Sequence, residues 1–202
     1  MITFMSDIIC VTARNLCEGS FLSQLEKIAA ATPKFIILRE KDLSEKDYRS
    51  LAEKAIDICR KYDTKLMLHY YWKTAIELEW KNIHLPLHIL RELSEDDKRN
   101  FEHIGVSCHS VDDAIEAQKH GAGYITAGHV FATDCKKGLE PRGLDFLRNV
   151  CESVEIPVYA IGGISPDNIG LVRECGAAGG CAMSGFMRCA DPAGYIVKFE
   201  KK

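Results

Sequence analysis

Short runs of apolar, often β-branched residues alternate along the chain with longer stretches in which apolar positions recur every three or four residues. The first pattern fits strands buried on both faces, the second amphipathic helices. Eight such pairs follow one another. The expected strands are Asp7 to Ala13, Phe35 to Glu40, Lys65 to Tyr70, Asn82 to Leu87, His103 to His109, Tyr124 to Ala127, Val158 to Ile164 and about Gly180 to Ser184. The helices expected between them cover Phe21 to Ala31, Glu45 to Tyr62, Lys73 to Trp80, Ile89 to Arg99, Val111 to His120 and Leu144 to Val154. A seventh opens with Ser165 as N-cap and Pro166 at its first position, and an eighth runs from Asp191 to the end. In the second helix Tyr48, Leu51, Ala52, Ala55, Ile56 and Cys59 share one face, and Ser44 is placed to cap it. Eight strands alternating with eight helices close most economically as a TIM (β/α)8 barrel of the α/β class, and 202 residues lies near the lower limit for one. With no linker or low-complexity tract, residues 1–202 read as one domain.

Composition changes this picture little. Apolar residues make up 47% and charged residues 27%, with a net charge of -3, so there is no global attraction for a polyanion. Lysines and arginines are dispersed among acids along the helices, which argues against nucleic acid as a partner. No apolar run reaches membrane-spanning length, and the opening MITFMSDIICVTA reads as the approach to a strand rather than a leader, so a cytoplasmic protein with no membrane partner is expected. Nine cysteines, an odd number with no CxxC pair, fit reduced side chains acting as small hydrophobes. Cys108 and Cys135 fall near the expected site, but nothing beside them marks a nucleophile.

In a barrel the chemistry belongs at the carboxyl ends of the strands, and the loops after strands seven and eight often hold phosphate. Those loops read AIGGIS and AMSGF. Gly162 and Gly163 let backbone amides approach an anion and Ser184 adds a hydroxyl, although paired glycines also suit a tight turn. At the end of strand two, alternation sends Ile37, Arg39 and Lys41 to one side, so that two cations project together from the mouth. The alternative is a solvated loop in which they pair with Glu40 and Asp42. His69, His109 and His129 all fall at strand ends, whereas His88, His103 and His120 read as exposed and His84 as strand filling. His129 is singled out because Ala127 and Gly128 leave room beside it and a polar loop with Thr133, Asp134, Cys135, Lys136 and Lys137 follows. Imidazole titrates near neutrality and can take a proton and return it.

The string GHVFATDCKKGLEPRG resembles the corresponding loop of TenI-type thiazole tautomerases. ILREKDLSEKDYRSLAEKAI, IGVSCHS, VYAIGGISPDN and AMSGF extend the similarity to the thiamine-phosphate synthase superfamily over nearly the whole chain. The resemblance implies His129 as the acid-base catalyst of an allylic proton shift that aromatises a thiazole carboxylate phosphate tautomer. It matches Gly163 and Ser184 to phosphate-binding positions, and Arg39, Lys41, Ser107, Thr133 and Lys136 to positions lining the superfamily's anion pocket. The implied partner is a small phosphorylated thiazole, and no metal or organic cofactor is required. The resemblance also admits a homodimer, although no segment marks an interface.

Synthases of this superfamily hold the magnesium of a pyrimidine diphosphate with an Asn-Asp pair ending strand three and an acid after strand four. Here those places read His69 and Tyr70, then Leu85, Pro86, Leu87 and His88, and Ile37 stands where synthases carry a glutamine. Magnesium prefers carboxylate oxygens, so these departures count against a synthase. A magnesium-dependent thiamine-phosphate synthase with unusual ligands is the second expectation and a non-enzymatic TenI-like regulator the third. The aromatic group Tyr70, Tyr71 and Trp72 is a further departure, with Trp72 expected to pack helix three and Tyr70 left open.

Overall fold

Along the first strand, β1 (Ile8–Val11), alternate side chains enter two different cores. Ile9 and Val11 join Phe35, Ile37, Met67, Tyr124, Tyr159 and Cys181 inside a barrel, while Ile8 and Cys10 pack outward against helices. The computed structural model describes residues 6–133, 136 and 138–200. Seven further strands follow: β2 (Phe35–Leu38), β3 (Leu66–His69), β4 (Asn82–Pro86), β5 (His103–Cys108), β6 (Tyr124–Gly128), β7 (Val158–Ile161) and β8 (Gly179–Ala182). All neighbours are parallel, and β8 pairs with β1 through Ile8 opposite Gly180, closing the barrel. This is the TIM barrel that the eight-fold alternation implies.

Aromatic rings fill the interior because glycine makes space for them. A Cβ on Gly105 of β5 would lie 2.1 Å from Cζ of Tyr124, so the ring occupies the volume that a side chain there would need. Tyr124 in turn packs 4.9 Å from Phe35 and edge-on at 5.9 Å to Tyr159. These rings give the cavity above them a solid floor.

The helices on the outer face are α1 (Phe21–Ala30), α2 (Glu45–Lys61), α3 (Trp72–Glu77), α4 (Leu87–Glu92), α5 (Glu95–Lys98), α6 (Val111–Lys119), α7 (Gly143–Ser153), α8 (Ile169–Glu174), α9 (Ser184–Arg188) and α10 (Pro192–Glu200). Ser44 caps α2 by accepting from the Asp47 amide, and Trp72 packs against the outer core as expected.

Three expectations need correction. The single helix expected over Ile89 to Arg99 is two, because Ser94 and Asp97 form a reciprocal capping box that starts α5 afresh after an extended Leu93. Ser165 and Pro166 do not open a helix. The Asn168 side chain accepts from the Ser165 amide and donates to the Gly163 carbonyl, holding residues 165–168 as a turn, and α8 begins at Ile169. A short α9 that periodicity does not reveal starts at Ser184, and the last strand ends at Ala182 rather than reaching Ser184 as expected. No helix among the described residues is long and apolar enough to cross a membrane.

Candidate active site

A cavity of about 770 Å³ opens at the carboxyl ends of the strands. Arg39, Lys41, Ser107, His129, Thr133, Lys136, Gly163 and Ser184 all line it, so the barrel brings together every residue singled out as a site candidate in the sequence. Asp134, Cys135 and Lys137 lie outside the described residues.

The cations are available while the acids are engaged. Glu40 is buried between β1 and the mouth, where Oε1 accepts from the Thr12 hydroxyl at 2.6 Å and both oxygens accept from the Arg14 amide at 3.1 Å. Burial raises its pKa, while the Thr12 and Arg14 hydrogen bonds pull it down. Asp113, the other acid on the wall, accepts the His109 amide at 2.8 Å. Asp42 faces away and pairs with Arg14. Among the described residues neither Arg39 nor Lys41 forms an ion pair, so the alternative of a self-paired basic loop does not hold there. Burial, then Arg39 and Lys136, lowers the Lys41 pKa, a concentration of positive charge that an anion would relieve.

His129 is partly buried at the end of β6, and the peptide bond joining it to Gly128 is cis. Its Nε2 lies 3.4 Å from the Leu139 carbonyl. A carbonyl can only accept, so Nε2 carries hydrogen in this arrangement and Nδ1 keeps the lone pair. The room for this ring comes from a glycine that the sequence suggested for a different role. A Cβ on Gly162, at the end of β7, would lie 2.3 Å from Cβ of His129, whereas a Cβ on Gly128 would strike the Ile161 carbonyl at 2.2 Å. Ala127 is buried in the outer core. Gly163 is likewise required by packing, since its Cβ would meet the Ala132 carbonyl at 2.6 Å. The paired glycines thus serve the contact between the β6 and β7 loops, and exposed amides for an anion are a consequence.

Three more histidines differ in kind. His84 is inside the barrel, with Nδ1 2.9 Å from the Tyr124 hydroxyl and Nε2 2.8 Å from Oγ of Ser107. Burial, and then Arg39, pushes it down to about 3, so it is a neutral brace holding the Ser107 hydroxyl rather than simple filling. His69 is also buried at the cavity wall, and burial, His84, Arg39 and Lys41 together hold it well below the usual imidazole range. His109 is exposed at the mouth, and its Nδ1 lies 2.9 Å from the Gly128 carbonyl. Tyr70 also lines the mouth, half-exposed, with a left-handed φ of 71°. Cys108 is buried, which pushes its thiol up to about 12 and away from the thiolate form.

The donor set at the ends of β3 and β4 does not suit magnesium. His69 and Tyr70 offer a neutral imidazole and a phenol, Pro86 and Leu87 offer no side-chain oxygen, and Glu40 and Asp113 already accept hydrogen bonds. Among the described residues, no three His, Cys, Asp or Glu side chains are grouped to hold a metal ion.

Residues 8–186 match the thiamine monophosphate synthase family profile. The chain is 31% identical over 187 residues to a thiamine-phosphate synthase of Fusobacterium nucleatum, covering 90% of this chain and 89% of the relative. It is 32% identical over 182 residues to the thiamine-phosphate synthase of Caldanaerobacter subterraneus, covering 87% and 83%. Among solved structures, a thiamine phosphate pyrophosphorylase from Pyrococcus furiosus superposes with a TM-score of 0.80 at 27% identity, covering 96% of this chain and 93% of that one. With the whole barrel and the cavity-lining strand ends inside the matched span, the chain belongs to the thiamine monophosphate synthase family.

Proposed function

We propose that the protein is an isomerase of this family, a thiazole tautomerase that aromatises a thiazole carboxylate phosphate by moving one proton. The observation that carries the reading is His129, which has one nitrogen occupied by a backbone carbonyl and lines a cavity with Arg39, Lys41 and Lys136. A substrate with a phosphate at one end and a carboxylate on the ring suits such a wall, with the phosphate against the amides of the Gly163 loop and the Ser184 hydroxyl. Nδ1 of His129 removes the ring proton, and the pair left behind moves through the ring until the exocyclic carbon takes up a proton. Aromatisation drives the reaction, so the protein contributes mainly position and proton transfer. The donor set at the ends of β3 and β4 does not fit magnesium, and the proton shift needs none.

The second reading is thiamine-phosphate synthase, a transferase, and the names carried by the relatives favour it. One pair of assays separates the two. A proton NMR time course of the thiazole carboxylate phosphate tautomer, run in chelator, should show the exocyclic vinyl signal lost only when protein is present. Magnesium-dependent release of pyrophosphate from a pyrimidine diphosphate and thiazole phosphate, without that loss, would replace the isomerase by the transferase.

A further inference from the structure

An allylic proton shift breaks a C–H bond at one carbon and makes one at another. His129 is held through Nε2 and has a single nitrogen to offer. A second imidazole stands beside it. In the ladder between β5 and β6, Cys108 is level with Ala127, which brings His109 level with Gly128, the residue before His129. The Nδ1–H of His109 donates to the Gly128 carbonyl at 2.9 Å and its backbone N–H donates to Oδ2 of Asp113 at 2.8 Å, so the ring is fixed at both ends of the residue. His109 and His129 both line the 770 Å³ cavity and a second one of about 330 Å³ that shares Gly128 and Lys136 with it.

The carbonyl contacts engage opposite nitrogens of the two rings. In His109 the carbonyl bond occupies Nδ1, so Nε2 is the nitrogen free to carry a proton in or out; in His129 the roles are reversed.

We infer that His109 is a second catalytic residue, the proton donor to the exocyclic carbon, an inference that rests on the tautomerase reading. The ring C–H bond breaks and its proton goes to Nδ1 of His129. The electron pair moves into the ring, and the exocyclic C=C pair takes the proton from Nε2 of the His109 imidazolium. Nothing is oxidised or reduced. Each imidazole regains its starting state by exchange with solvent, which reaches the exposed His109 directly.

The test follows the two halves of the reaction separately, with the tautomer deuterated at its ring carbon as the probe. NMR reads washout of deuterium from unreacted substrate, which needs His129 alone, and formation of aromatic product, which needs both residues. His109→Asn keeps an N–H for the Gly128 carbonyl and removes the proton carrier. It should form product at least ~10-fold more slowly while washout continues, so that the exchange-to-turnover ratio rises by a similar factor. His129→Asn should stop both. Free imidazole should restore turnover to His109→Ala, and this arm carries the test if His109→Asn melts early. Equal slowing of washout and turnover, unchanged turnover, or no rescue by imidazole overturns the donor role of His109 and leaves His129 in place. Absence of product with the unmodified protein instead overturns the tautomerase reading.

Discussion

The hydroxyl of Thr12 donates to Oε1 of Glu40 at 2.6 Å and accepts from the Arg39 amide at 3.0 Å. One small side chain on the β1 loop thus occupies an oxygen of the acid in the Arg-Glu-Lys run at the cavity wall and ties down the backbone of its arginine. Thr12→Val keeps the shape and removes both bonds. It should destabilise the fold by about 1–3 kcal/mol, read from urea unfolding, because a buried carboxylate and a partly buried N–H each lose a partner. An unchanged midpoint would mean that water replaces the hydroxyl without loss.

Arg39 and Lys41 are expected to bind substrate anion. Replacing Arg39 by Gln should raise KM about 10–100-fold, the equivalent of one charge-assisted hydrogen bond of about 1.5–3 kcal/mol, with a smaller change in kcat. Added salt should weaken binding to the unmodified protein more than to the variant. A KM that does not move would put the anion elsewhere in the cavity.

Gly162 is expected to be intolerant of any side chain. With a φ of 98° and a Cβ that would lie 2.3 Å from that of His129, Gly162→Ala combines backbone strain with displacement of the imidazole. The strain alone is about 1–3 kcal/mol. Turnover should fall by at least ~10² with the barrel still folded, since a reacting group misplaced by an ångström costs about that much. Circular dichroism beside the NMR assay checks both parts, and near-normal turnover would show that His129 need not sit where it does.

The two buried neutral imidazoles predict acid sensitivity. His69 and His84 have folded pKa values below their unfolded ones, so the unfolded chain takes up protons first as pH falls. Their contribution is fully present above about pH 6.5 and is lost as pH drops toward the folded value, about 3 for His84. Each can contribute a slope of up to about 1.4 kcal/mol per pH unit in that window. Urea midpoints at pH 7, 6 and 5 should therefore fall, and His84→Gln should flatten the trend. A flat profile in the unmodified protein would contradict burial of neutral rings.

His129→Ala should lower turnover by about 10²–10⁴ with little change in melting temperature, because the ring is only partly buried and its hydrogen bond to the Leu139 carbonyl is long. Comparable turnover in the variant would remove His129 from the mechanism.

Much of this protein was legible along the chain. Strand and helix alternate with periods that any stretch of backbone imposes on its own side chains, so the eight pairs and the joint projection of Arg39 and Lys41 could be read locally. His129 was legible too, by its place at a strand end before a polar loop. Local pattern failed where a short-range polar interaction outweighed it: Ser94 and Asp97 restarted a helix that apolar spacing would have continued, and Asn168 turned Ser165 from a cap into part of a turn.

The order of the elements, their faces and the strand ends where reactive side chains emerge follow from the chain alone, because these depend on neighbours within a few residues. It took the folded barrel to decide that Gly162 rather than Gly128 clears space for His129, that Thr12 engages the Glu40 carboxylate, that Tyr124 and Ser107 flank His84, and that His109 meets the Gly128 carbonyl. Each of these joins residues on, or just beyond the ends of, different strands. Closing the barrel fixes how far apart those strands sit and in what register, and no periodicity along one strand carries that distance.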